Sequence, residues 1–439
     1  MVKNLFQRIS AIAACTLLLT ACSAEKQMSH RVSKVFKKSP QLKQYQVGFA
    51  LYDLSKAAMV YEKNADQYFI PASNTKLFTF YGGLKMLSDS IPSLRYVERG
   101  DSLIFWGTGD PSNLQSQLKN HRAYDFLKSA GKQLFFAPGR YSGSIYGKGW
   151  AWDDYKDYYQ AEIDELPLMD NLVDFKATNN VLVVTPKAFA DQTSIDSAST
   201  TRTFSVTRDF NANQFKHPNV SPTSTYNQKV PFKVSLNTTL QILSDTLGKP
   251  VNSLLMLMPE NAKTLYGAKR DSVLKEMMLP SDNFIAEQLL LVYANKLGRE
   301  LNSEKAIAYI QKEYLAGLPD KFIWIDGSGL SRYDLVTPRT MIKLLDMIYK
   351  EVNDPKRLFN MLPAGGMTGT LKNAYPKTNQ PFVFGKTGSM SNIHNQSGYL
   401  ITKKGKTYLF SFLNNDFILP TAAVRKEMVR IITYIHEKY

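Results

Sequence analysis

Apolar residues recur along this chain with two periods, and the switch between them marks out its organisation. Residues 45–53 and 57–62 alternate apolar and polar side chains around Leu54-Ser55-Lys56, the pattern of a β-hairpin. From Leu77 through Tyr81 to Leu84 and Leu87 the spacing becomes helical. From 94 to about 259 neither period lasts: strand-like runs at 102–106 and 181–184 sit among aromatics and a Ser/Thr/Asn-rich stretch at 193–226. Helical spacing returns at 237–247, 271–278, 283–297, 303–315 and 337–352. Strand-like runs at 382–387, 398–402 and 407–414 follow, and a helix over 421–436 closes the chain. A hairpin near one end and three strands near the other, flanking helices, predict an α+β domain assembled from both chain ends. It would be an antiparallel sheet with helices packed on it, its parts at 30–93 and 258–439, with 94–257 inserted as a mainly-β excursion.

The first residues read differently. Lys3 and Arg8 precede an apolar run over 9–19, too short to span a membrane, so residues 1–21 read as a secretory signal peptide. Leu19-Thr20-Ala21-Cys22 resembles the lipobox of bacterial lipoproteins, which implies cleavage before Cys22, acylation of that residue, and a tether over 22–29. An ordinary cleaved signal beside an incidental cysteine is the alternative. Cys15, the other cysteine, leaves with the signal, so no disulfide and no cysteine-based metal site is available afterwards. A formal charge of +16 suits anionic wall polymers or lipid phosphates, and equally serves solubility. Export and dispersed basic residues argue against nucleic acid as a partner. The one dense run, Arg31 with Lys34, Lys37 and Lys38, reads as the solvated side of a short helix beside the anchor.

Three short motifs carry the candidate chemistry. Ser73 and Lys76 lie three apart at the start of the helical run after Pro71, with Ser73 placed to cap the first turn and the Lys76 amine within reach of its hydroxyl. Ser23, Ser116, Ser129 and Ser272 also precede a lysine at this spacing, but none has the same proline-led helix start together with dependent motifs. Ser281-Asp282-Asn283 sits between two helical runs; it can be a cap, or Ser281 and Asn283 can hold Lys76 neutral and orient a substrate carbonyl. Lys386-Thr387-Gly388 lies in a strand-like run and occurs once. Its glycines suit a strand edge approached closely by a peptide, with Lys386 and Thr387 meeting a terminal carboxylate. The five histidines are scattered without metal-ligand spacing, so no metal and no cofactor is expected.

In this order the trio resembles that of penicillin-binding proteins and class A β-lactamases. Gly107-Thr108-Gly109-Asp110-Pro111, Gly149-Trp150-Ala151-Trp152-Asp153-Asp154, Asp326-Gly327-Ser328-Gly329-Leu330-Ser331-Arg332 and Gly369-Thr370-Leu371, with the long insertion, are similar to segments of the D-alanyl-D-alanine carboxypeptidase/endopeptidase family of low-molecular-mass (class C, type 4) penicillin-binding proteins. The resemblance implies a β-lactamase/transpeptidase-like domain with helices on both faces of its sheet. It implies Ser73 as nucleophile, Lys76 as its base, Ser281 as proton relay, Asn283 and Lys386 as further catalytic groups, and the backbone N–H groups of Ser73 and Ser389 as an oxyanion hole. Thr387, Gly388 and Ser389 would bind substrate, Ser389 standing where the family often has threonine. Substrates would be peptidoglycan peptides ending in D-Ala-D-Ala, with β-lactams as inhibitors, and the protein would be lipid-anchored facing the periplasm. Two rivals stay open: a serine β-lactamase, although no Glu-x-x-Leu-Asn segment lies between Ser281 and Lys386, and a non-catalytic peptidoglycan-binding lipoprotein.

Overall fold

A computed structural model describes residues 26–439; the signal segment and Cys22 lie outside the described residues. The chain ends meet in one antiparallel sheet. Its strands are β1 (Gln46–Asp53), β2 (Ala58–Lys63), β3 (Val383–Met390), β4 (Ile393–Ile401) and β5 (Thr407–Asn415), in the order β3-β4-β5-β1-β2. Gln46 pairs with Asn415 and Asp53 with Tyr408, so the N-terminal hairpin adds directly onto the C-terminal meander. β3 forms one edge.

Helices cover both faces. Phe49 and Leu51 pack with Met28, Val32 and Phe36 of a helix over 26–37 and with Val424, Met428 and Ile431 of the Thr421–Lys438 helix. On the other face Ala50, Leu409 and Leu413 lie under the Lys76–Met86, Asn283–Leu297 and Pro338–Val352 helices. Each fully buried aliphatic or aromatic side chain here contributes roughly 1.5–3 kcal/mol. Two-sided burial also explains a departure from the expected alternation, because β1 is buried at every position except Gln46 and the half-buried Tyr52. β4 begins five residues earlier than expected, its first half being the buried polar run His394-Asn395-Gln396-Ser397. These groups have partners: Asn395 donates to the Ile70 carbonyl and accepts from the Asn414 amide, Gln396 accepts from the Tyr375 hydroxyl, and Ser397 bonds Ser411.

The middle of the chain forms sheets of its own. Five strands run in the order Val251–Ser253, Gln133–Phe136, Ser102–Gly107, Ser90–Arg99, Lys263–Lys269, beside two three-stranded sheets. Ser90–Arg99 crosses the expected boundary at 94, and its antiparallel partner Lys263–Lys269 lies beyond the one at 257. The polar stretch at 193–226 contributes three short strands around buried Phe204 and Phe215.

Candidate active site

Ser73 stands in a tight 3₁₀ turn, Ala72–Thr75, and the α-helix begins only at Lys76. The expected capping role of Ser73 is therefore not what the structure shows: neither helix has a side-chain cap here, which leaves the Ser73 hydroxyl free to meet Lys76. Lys76 is fully buried, and its Nζ lies 3.0 Å from Ser73 Oγ, 2.6 Å from Asn283 Oδ1 and 2.8 Å from the Ser328 carbonyl oxygen. Asn283 cannot turn its amide round, because its Nδ2 donates to the Tyr159 carbonyl at 3.1 Å. Of Lys76's three neighbours, two are thus oxygens that only accept, and the third is a hydroxyl able to donate. A neutral amine has two hydrogens and one lone pair. Bonding Asn283 and Ser328 leaves that lone pair directed at Ser73.

Burial favours the neutral amine, lowering the Lys76 pKa from 10.5 to about 8 against an opposing pull from Glu287, Asp326 and Asp282. Lys386 is likewise held well below its ordinary range, first by burial and then by Lys76. Lys386 also does not reach the open edge of β3. It is fully buried, donating at 2.7 Å to Ser281 Oγ and at 2.7 Å to the Thr387 carbonyl, so it addresses Ser281 and not an approaching carboxylate. Thr387 remains on the accessible side, its Oγ1 2.7 Å from Thr370 Oγ1.

Gly388 is corrected similarly. What approaches it closely is the Ser73 turn, not a ligand: a Cβ there would lie 2.5 Å from the Pro71 carbonyl and 2.9 Å from the Ser73 amide nitrogen. The contact brings β3 flush against the turn and puts Ser389 one residue from it. Across the ladder from Ser389 stands His394, whose Nδ1 is 2.7 Å from Ser389 Oγ. Burial lowers the His394 pKa to about 4, with a further push from Arg425, so the ring is neutral near pH 7.

Sequence reasoning gave no role to several groups that shape this centre. The Ser328 carbonyl is aimed by a buried loop in which the Glu287 carboxylate accepts from the Gly327 and Ser328 amides at 2.9 and 2.8 Å, and Asp326 accepts from those of Gly329 and Ser331. Gly329 has φ +77°, and a Cβ on it would overlap the Ala72 carbonyl, so the loop also braces the Ser73 turn. Glu287 lies four residues after Asn283 on a largely apolar helix, hence on the same face. That spacing was a readable signal. The Tyr159 carbonyl, from the inserted region, had none. Beside Ser281 and Asn283 opens a cavity of about 650 Å³, walled also by Tyr158, Tyr159, Asp170 and Thr370. Among the described residues no group of three or more His, Cys, Asp or Glu is placed to hold a metal ion.

A family model described as the D-Ala-D-Ala carboxypeptidase 3 (S13) family matches residues 28–435. The chain belongs to that family. Among similar proteins, the D-alanyl-D-alanine carboxypeptidase DacB of Haemophilus influenzae is 26% identical over 414 residues, covering 84% of this chain and 85% of that one. Penicillin-sensitive carboxypeptidase A of Dictyostelium discoideum is 25% identical over 397 residues, 78% of this chain and 76% of its own. In fold the chain matches the crystal structure of penicillin binding protein 4 from Haemophilus influenzae, with a TM-score of 0.72 at 20% identity, over 92% of this chain and 99% of that one. As an S13 member the chain is a serine D-Ala-D-Ala carboxypeptidase acting on peptidoglycan.

Proposed function

We propose that the S13 activity of this chain runs through an acyl-enzyme on Ser73. The neutral Lys76 amine takes the Ser73 proton as Oγ attacks the carbonyl of the penultimate D-alanine. The backbone N–H groups of Ser73 and Ser389 hold the oxyanion, each donor of this kind contributing about 3 kcal/mol to the transition state. Ser281, bonded to Lys386, relays to the leaving amine the proton that Lys76 took, which returns Lys76 to its neutral form. Water then cleaves the ester. The product is free D-alanine when the stem peptide is uncross-linked, or two separated stems when the bond joins two peptides. Thr387 and Ser389 line the strand edge along which the peptide lies, and Gly388 seats that edge against the Ser73 turn. A β-lactam acylates Ser73 by the same attack and is released slowly.

One observation carries this reading: the Lys76 amine touches Ser73 Oγ while both its remaining neighbours are acceptors. In the cell, the Cys22 reading makes the enzyme a lipoprotein of the envelope, exported and facing the periplasm. The test is release of D-alanine from a stem pentapeptide by wild type, Ser73→Ala and Asn283→Ala, with cross-linked muropeptides assayed in parallel. Release by Ser73→Ala at the wild-type rate would remove Ser73 from the mechanism.

A further inference from the structure

At the end of the sheet remote from Ser389, segments from four parts of the chain converge on a basic pocket of about 210 Å³. Arg31 comes from the helix over 26–37, Lys56 from the β1–β2 turn, Lys404 and Lys406 from the β4–β5 turn, and Lys438 from the last helix. Antiparallel order explains the meeting. The two turns leave the sheet at the same end and are joined where the Leu54 amide donates to the Thr407 carbonyl; the Lys403 amide donates to the His436 carbonyl and ties in the last helix. Asp53 is the sole carboxylate side chain in the wall, and its Oδ1 already accepts from Ser55 and Lys56 within the turn. Among the described residues Arg31, Lys404, Lys406 and Lys438 form no salt bridge, and all four are exposed.

Arg31, Lys404, Lys406 and Lys438, four cations around one concavity, repel each other and are stabilised by an anion. Position says which one. Residue 26 lies four positions after Cys22, a reach of at most about 14 Å, and Gln27 and Met28 are themselves in the pocket wall. We propose that this pocket seats the phosphate of an anionic phospholipid headgroup and docks this end of the sheet onto the bilayer. His394, opposite Ser389, lies seven residues along β4 from Ile401, about 23 Å at the usual strand rise. Docking here therefore holds the active site well above the lipid, turned towards the wall. The proposal rests on the reading of Cys22 as the acylated residue for why this face meets a membrane.

The test uses residues 22–439 without acyl groups, which contain every element described, in flotation with phosphatidylcholine vesicles or vesicles about one-third phosphatidylglycerol. The expected result is flotation with the anionic vesicles alone. Lys404→Glu/Lys406→Glu should lower the partition coefficient by at least about tenfold, because each cation near an anionic surface contributes substantially to binding. Lys187→Glu/Lys216→Glu, the same charge change on exposed lysines of the inserted region, should change it by less than about twofold, and penicillin labelling of both variants verifies folding. No flotation of wild type, or equal loss in both variants, overturns the proposal. Displacement from the vesicles by inorganic phosphate at low millimolar concentration would make the pocket a free-phosphate site and overturn the lipid assignment. The mass of the N-terminal peptide from membrane-extracted protein reports acylation of Cys22 separately, so failure of that reading is distinguishable.

Discussion

The rate of Ser73 acylation should climb with pH because only the neutral form of Lys76 can take the hydroxyl proton. With a pKa of about 8, the amine is roughly 1% neutral at pH 6, about 9% at pH 7 and about 90% at pH 9, so the rate should rise about 90-fold across that interval and then level off. An amine at its ordinary 10.5 would be only about 0.03% neutral at pH 7. Burial therefore raises the reactive fraction some 300-fold, equivalent to about 3 kcal/mol. The sign on stability is opposite to that of an ion-paired lysine. Between about pH 8 and 10.5 the unfolded chain binds a proton at Lys76 that the folded chain does not, so this residue makes the fold more stable as pH rises through that window. The assay is stopped-flow acylation by a fluorescent penicillin from pH 6 to 9. Because Lys386 is depressed as well, the profile is repeated with Lys386→Met, which keeps an unbranched chain in the same space without a titrating group. Acylation by that variant should be slower with the midpoint still near 8. A flat profile, or a midpoint that disappears with Lys386, would refute the assignment of Lys76 as base.

Three further outcomes are expected. Asn283→Ala removes the acceptor 2.6 Å from Lys76 and the tie to Tyr159; losing a hydrogen bond to a charged or reacting group costs about 1.5–3 kcal/mol, so acylation should slow by roughly 10- to 100-fold, read in the same penicillin assay. Gly388→Ala drives a methyl into the Pro71 carbonyl and the Ser73 amide, both rigid backbone, and should lower acylation together with Tm, measured by scanning calorimetry. His394 is buried neutral with its pKa depressed to about 4, so the unfolded chain takes up a proton there first. Up to about 3 kcal/mol of stability should be lost as pH falls from about 6.5 to 4, and urea midpoints for His394→Gln should lose part of that dependence.

Much of the centre was legible because its chemistry is carried by short segments whose local structure is encoded locally. Pro71 before a helical run, Pro280 with Asp282 capping the Asn283–Leu297 helix through the Ile285 amide, and the strand character around Lys386 each fix a backbone on which a named side chain stands. What stayed hidden depends on tertiary contacts. His394, Asn395, Gln396 and Ser397 fall outside the strand-like run at 398–402 because they are polar, yet each is buried and partnered inside β4. Lys386 read as a group facing substrate because its charge suits a terminal carboxylate at a strand edge; its burial against Ser281 is a tertiary contact that spacing does not show. Nor could spacing show that a backbone carbonyl at Tyr159 locks the Asn283 amide, since a carbonyl carries no sequence signature. The inserted region thus has at least one function at the centre itself, which composition alone had left as an excursion.

Peptide mapping of the penicillin adduct tests the whole arrangement most directly. Wild type treated with a β-lactam, digested and analysed by mass spectrometry should carry one acyl group, on Ser73, and the adduct should be missing from Ser73→Ala and greatly reduced in Lys76→Met. An adduct on any other serine, or full labelling of Lys76→Met, would contradict a nucleophile activated by the buried amine beside it.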